Sequence, residues 1–159
     1  MIFITVGTDQ PFDRMVKTID AWAAERGRTD LFAQIGAGAW HPRAIPFACF
    51  LSPPDFKERF QQASVIIGHA GMGTILSALD HGKPILVMPK KASLGEQRNE
   101  HQLATARHMM SLGNVTVAFD EDELREKLDH LDTLIPREKI PPVATGPLIG
   151  GLRNFIFGA

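Results

Sequence analysis

Ser64-Val65-Ile66-Ile67-Gly68-His69-Ala70-Gly71-Met72-Gly73-Thr74 is the stretch that decides the fold. Residues 65–67 form an apolar run of strand length, which passes through small residues into a helical pattern over 74–81. A strand that feeds a helix through glycines leaves the first backbone N–H groups of that helix unpaired and aimed at one spot. Those donors, together with the positive end of the helix dipole, make an anion site. Gly71 and Gly73 have no Cβ, so a phosphate can approach the backbone closely. The stretch predicts a phosphate-bearing ligand, a nucleotide by class.

The same alternation extends on both sides. Residues 2–6 read as a buried strand, and Phe12, Val16, Ile19 and Ala23 follow at helical spacing. Residues 31–35 and 47–51 read as a second and third strand, and Pro53-Pro54 opens a helix through Phe56 and Phe60. After the central stretch, Gly82-Lys83-Pro84 stops a helix and residues 85–88 form a fifth strand. A polar loop over 89–98, a helix over 100–110, a strand over 115–119 and a helix from Asp120 to about Leu131 complete the pattern. Short, all-apolar strands alternating with helices predict an α/β fold, a single doubly wound parallel sheet covered on both faces. Ligands of such sheets sit at the carboxyl ends of the strands. The turn Gly7-Thr8, the glycine turn at 68–73 and the loop 89–98 all fall on that edge.

The chain of 159 residues suits one domain, with 44% hydrophobic residues for its core and a formal net charge of -1 that gives no reason to expect nucleic acid. Its single cysteine, Cys49, has no internal partner and fits a reducing compartment. The apolar start, residues 2–6, lacks a basic leader and a cleavage pattern, and no apolar run approaches the ~20 residues of a membrane span. A cytoplasmic protein is expected. Residues 1–133 are read as the folded domain and 134–159 as a proline-containing tail, whose apolar residues Leu148, Ile149, Leu152, Phe155 and Ile156 either fold back or dock on a partner.

The candidate chemistry is that of holding a ligand. Neither G-x-x-x-x-G-K-[ST] nor G-x-G-x-x-G occurs, which disfavours a P-loop enzyme and a nicotinamide or flavin cofactor. Thr74 either donates to a phosphate or caps its helix. His69 either contacts a phosphate and moves a proton, as a weak catalytic candidate, or is a packed neutral donor. Glu96, Asn99, Glu100, His101 and Gln102 crowd one helix start, where they suit the hydroxyls of a sugar or simply a solvated helix end. Lys90 and Lys91 face an anionic acceptor or a membrane, or else are solvated surface. Asp120-Glu121-Asp122 looks like a metal-holding triplet, but Asp120 with Glu123 before Leu124 is better read as a capping box. No zinc-type spacing, catalytic triad or paired carboxylate is present, so no metal and no cofactor are expected.

Taken in order, Val6-Gly7-Thr8, His69-Ala70-Gly71-Met72-Gly73-Thr74, Gly82-Lys83-Pro84 and His101-Gln102-Leu103 resemble the carboxy-terminal domain of glycosyltransferase family 28. The likeness covers about residues 2–129 and is strongest to the stand-alone form. That form comprises the small soluble subunit of the eukaryotic dolichol-linked UDP-GlcNAc transferase and those of two-chain bacterial exopolysaccharide transferases. The opening at Thr5-Val6-Gly7-Thr8 and the ending near Ala159 fit such a subunit.

The resemblance implies one Rossmann-like half of a two-domain GT-B enzyme, the half that binds a UDP-sugar. It places the diphosphate on Gly71, Met72, Gly73 and Thr74, with Gly7 and Thr8 lining the cleft and His69 and Ala70 beside it. It places the uracil against Phe50, Leu51 and Ser52, and the donor sugar at His101 and Gln102, near Glu96 and Asn99. Several relatives carry a ribose-binding glutamate where this chain has Ser77, so ribose recognition passes to another group or to water. The implied function is the donor-binding subunit of a two-component hexosyltransferase acting in polysaccharide biosynthesis. It would move a hexose-type sugar to a lipid-diphosphate acceptor held by a membrane-associated partner subunit, which recruits this chain to the inner face of the membrane and supplies the base. The alternatives are a non-catalytic nucleotide-sugar-binding module and a homodimeric, epimerase-like sugar-nucleotide enzyme.

Overall fold

A computed structural model describes residues 1–38, 40–113 and 115–134. The apolar tail expected over 134–159 lies, apart from Leu134, outside the described residues.

Six strands form one parallel sheet in the order β3-β2-β1-β4-β5-β6, with β1 Ile2–Thr5, β2 Leu31–Gln34, β3 Phe47–Ala48, β4 Val65–His69, β5 Ile85–Met88 and β6 Thr116–Val117. The strands read as continuous apolar runs because both faces are buried. Ile4, Ile67 and Leu86 point into one core, and Phe3, Ile66 and Val87 into the other. Helix α1 (Asp13–Arg26) and helix α5 (Glu121–Asp129) cover the first face. Helices α2 (Pro53–Gln62), α3 (Met72–Asp80) and α4 (His101–Ser111) supply Phe60, Ile75, Leu79 and Met109 to the second. Trp22 of α1 donates its indole N–H to Asp129 Oδ1 at 2.9 Å, and Arg26 pairs with the same carboxylate, which ties α1 to α5.

The connection after β1 leaves for the α1 face, and the connection after its neighbour β4 leaves for the α3 face. Their divergence opens a crevice at the carboxyl edge of the sheet, the position at which doubly wound sheets bind ligands.

Two strands are shorter than the sequence suggests. The third strand keeps only Phe47–Ala48, because Ser52 turns the chain into α2 by accepting the Asp55 N–H on its hydroxyl at 3.2 Å. The sixth keeps only Thr116–Val117, since Asp120 already caps α5. That cap is the expected one. Asp120 Oδ1 accepts the Glu123 N–H at 2.8 Å, while Glu123 reaches back to the Phe119 N–H at 2.9 Å, one residue before the position a standard capping box uses. The loop over 89–98 contains a single 3-10 turn, Ala92–Leu94.

Candidate functional site

The glycine turn carries the chain directly from β4 into α3. α3 begins at Met72, two residues earlier than the helical pattern suggests, with Gly71 as its N-cap in an extended conformation. No side chain caps it, so the first-turn N–H groups of Met72, Gly73 and Thr74 are left for a ligand. They open into a cleft of about 710 Å³ at the crevice between β1 and β4. Its walls include Gly7, Thr8, Phe50, Leu51, His69, Ala70, Gly71, Met72, Gly73, Thr74, Ser77, His101 and Gln102. Thirteen of the sixteen site positions proposed from the sequence therefore meet in one cavity.

The other three have their polar groups engaged nearby. Ser52 caps α2. Glu96 grips Arg14 with both carboxylate oxygens, at 2.7 and 2.9 Å, and also accepts the Lys91 N–H at 2.9 Å. Asn99 accepts the His101 N–H at 2.9 Å at the head of α4. The acidic triplet is likewise occupied in part: Asp120 caps, and Glu121 lies 3.4 Å from Arg14. Among the described residues, no group of three or more His, Cys, Asp or Glu side chains is placed to hold a metal, and no helix is long and apolar enough to cross a membrane.

His69 forms the floor of the turn. A Cβ on Gly71 would stand 2.0 Å from its Cε1, and one on Gly7 would stand 2.6 Å from its Nε2. Both glycines are therefore required by the ring between them. Gly7 also holds φ at +80°, a region open to glycine at little cost.

The hydrogen bonds of the ring form a chain whose polarity is fixed from one end. The Lys90 backbone N–H donates to Gln102 Oε1 at 3.1 Å. The amide NH₂ of Gln102 must then face His69 Nδ1, at 3.1 Å. Nδ1 accepts, Nε2 carries the proton, and that proton is directed at Thr74 Oγ1 at 3.3 Å. The Thr74 hydroxyl thus accepts from the ring, and its own proton is available to a ligand oxygen. Burial first, and then the nearby Lys90 ammonium, push the His69 pKa down to about 4. His69 is a neutral, committed donor, and a proton-transfer role near neutral pH does not suit it.

Two contributors went unread in the sequence, and a third was left open between two readings. Gln34, at the end of β2, accepts the Thr5 hydroxyl at 2.7 Å and donates to the carbonyls of Gly7 at 3.2 Å and Cys49 at 3.0 Å. It thereby anchors both the Gly7 turn and the start of the segment that carries Phe50. Thr5 and Gln34 are polar residues closing otherwise apolar strands, which is the signal that marks them. The third is Lys90, for which the sequence offers an anionic acceptor, a membrane or plain solvated surface; it is a buried cation in the cleft wall. Phe50, by contrast, is 57% exposed on the rim, an aromatic face without a cover.

Comparisons with known proteins accord with this geometry. Residues 1–141 match the model of the glycosyltransferase family 28 C-terminal domain. The chain is 30% identical over 124 residues to the UDP-N-acetylglucosamine transferase subunit ALG13 of Homo sapiens, a match covering 72% of this chain and 10% of that protein. It thus spans about a tenth of that relative's length. An NMR solution structure of ALG13 shares the fold with a TM-score of 0.62 at 19% identity, over 96% of this chain and 94% of that one. MurG of Acinetobacter baumannii shares it with a TM-score of 0.59 at 16% identity, over 82% of this chain and 41% of the other.

Proposed function

The chain belongs to the glycosyltransferase family 28 C-terminal domains, and from that premise we propose that it is the donor-binding subunit of a two-component glycosyltransferase. Its donor is a UDP-sugar. Its acceptor is a lipid-linked diphosphate held by a membrane-associated partner that brings this cytoplasmic chain to the inner face of the membrane. The observation that carries this reading is the uncapped first turn of α3, open to a cleft with room for a nucleotide sugar. The relatives named as subunits of a UDP-N-acetylglucosamine transferase support both the donor class and the need for a partner, and make UDP-N-acetylglucosamine the first donor to try.

In this reading the uracil packs on Phe50 and Leu51, and the ribose lies near Ser77. The diphosphate meets the N–H groups of Met72, Gly73 and Thr74 and the Thr74 hydroxyl, while the sugar extends toward His101. Transfer builds negative charge on the departing UDP. Preorganised amides at a helix N-terminus, in a partly desolvated cleft, stabilise that charge more than water would. His69 is not the general base in this reading, because it is neutral and both of its ring nitrogens are engaged. Deprotonation of the acceptor hydroxyl falls to the partner.

The test is a reconstituted assay with a UDP-sugar and membrane acceptor, comparing this chain alone, the partner alone and both together. Turnover is expected only from the pair. Full turnover by the isolated chain would refute the half-enzyme reading.

A further inference from the structure

We propose that Lys90 is an anion-receiving side chain of this cleft, its ammonium laid across the end of β4 to meet the donor's diphosphate opposite the α3 amides. The identity of the anion rests on the functional reading above, whereas the placement of the lysine does not.

The placement follows from sheet order and register. Met88 of β5 pairs with His69 of β4 as the last pair of that register, and Lys90 lies two residues beyond it, past the carboxyl end of the strand. Its side chain does not stay over β5. Its Nζ donates to the carbonyl of Gln10, in the connection that follows β1. Because β4 lies between β5 and β1, the lysine chain passes over the carboxyl end of β4, where the glycine turn begins. There it forms part of the same cavity wall as Gly71, Met72, Gly73 and Thr74.

The chemistry of the site is unbalanced without a ligand. Lys90 is only 1% exposed, yet among the described residues no carboxylate lies within 4 Å of its ammonium. Glu96, close enough to be felt, is spent on a two-pronged bond to Arg14. One N–H of the ammonium is taken by Gln10, and an ammonium has three. A buried charge without a counter-charge is costly, and burial pushes the Lys90 pKa down to about 8, against the weaker pull of Asp9 and Glu96. The Gln10 carbonyl and the Phe12 ring, 5.9 Å from the ammonium, offset part of that cost without supplying a counter-charge, whereas a diphosphate in the cleft supplies one and is gripped from two sides.

The experiment compares wild type, Lys90→Met and Lys90→Arg by titration calorimetry with UDP, uridine and inorganic pyrophosphate at pH 7. A charge-assisted contact predicts that Lys90→Met weakens UDP roughly 10- to 100-fold. Uridine should be unaffected, and Lys90→Arg should retain most of the UDP affinity. A second arm repeats the UDP titrations from pH 7 to 9.5. The titratable groups facing the ammonium are Asp9 after β1, His69 at the end of β4 and Glu96 after β5. Carboxylates, imidazoles and the terminal phosphate of UDP ordinarily titrate below this range, whereas the uracil N3–H, thiols and the α-amino group titrate within it, so the difference between wild type and Lys90→Met reports the lysine. Wild type should lose more affinity than Lys90→Met as pH rises, and parallel losses in the two would overturn the proposal.

Lys90→Met binding UDP as tightly as wild type, or losing uridine to the same degree, overturns the proposal and leaves the nucleotide reading standing. If wild type binds pyrophosphate in a Lys90-dependent way but does not bind UDP, the lysine site survives and the nucleotide reading falls. If wild type binds neither, both fall.

Discussion

At the scale of single residues, the cleft is governed by the direction in which protons point. Gln102 is the hinge of that order, because Lys90 N–H occupies its oxygen and His69 Nδ1 its nitrogen. Replacing the amide by a carboxylate reverses one end only. In Gln102→Glu, one oxygen still accepts from Lys90, while the other faces Nδ1 with a negative charge instead of a proton. An adjacent carboxylate favours the imidazolium, so the His69 pKa should rise from about 4 by about 1–3 units. Titration of the ring nitrogens by NMR measures this directly, and it also shows the Nε2–H form in wild type. A His69 pKa that stays near 4 in the variant would mean that the amide does not set the state of the ring. The sequence shows His69 and Gln102 as polar residues near the strand edge, but not that they touch, since 33 positions separate them. Lys90 is less legible still. Beside Lys91 it reads as solvated surface or as a cation facing an anion, and the Gln10 carbonyl, 80 positions away, is what draws it inward.

At the scale of elements, helix ends do two opposite jobs here, and composition tells them apart. α5 is capped by Asp120 and carries Glu121, Asp122 and Glu123 in its first turn, so the Glu123 N–H and the helix dipole are answered by its own side chains. α3 starts with Gly71 and has no acid in its first turn, so the same groups are left to a ligand. Asp120→Ala should lower stability by about 1 kcal/mol, read as a lower midpoint in urea unfolding at unchanged slope. A wild-type midpoint in the variant would leave the triplet without its capping role. Helix starts and strand cores were legible because they depend on neighbours within four residues: Pro53-Pro54, the Asp120–Glu123 pair and the apolar run ending at Met88. The lengths of β3 and β6 were not. Residues 49–51 and 118–119 have strand-like composition, but each stretch makes just one more cross-strand bond, at the Cys49 carbonyl and the Ala118 N–H, before the chain turns toward the caps at Ser52 and Asp120, and pairing is a property of the neighbouring strand.

At the scale of the whole molecule, the sheet is covered on both faces by its own helices, and the polar machinery is concentrated at one edge of it. That edge holds two cation-forming groups, His69 and Lys90, both with pKa values pushed down, to about 4 and about 8. Each is uncharged more readily in the folded chain than in the unfolded one, so the cost of the site should appear in the pH dependence of folding. Between about pH 4 and the ordinary histidine value of 6.5, the unfolded chain binds more protons at His69 than the folded chain does. Stability contributed there is complete above 6.5 and is lost as pH falls through the window. A displacement of that size corresponds to about 3 kcal/mol at most. Other groups titrate over the same range, so the comparison must be with a variant lacking only this one. The difference in unfolding free energy between wild type and His69→Asn should therefore shrink, or change sign in favour of the variant, as urea denaturation is repeated from pH 7 down to 4. Lys90 works by the same rule in a separate window, where wild type should gain on Lys90→Met as pH rises from about 8 toward 10.5. UDP present at saturation should flatten that upper gain, because an anion beside the ammonium restores its proton. Parallel wild-type and variant curves in both windows would show that neither group is held away from its ordinary charge, and the cleft would then lack the stored electrostatic imbalance that a diphosphate relieves.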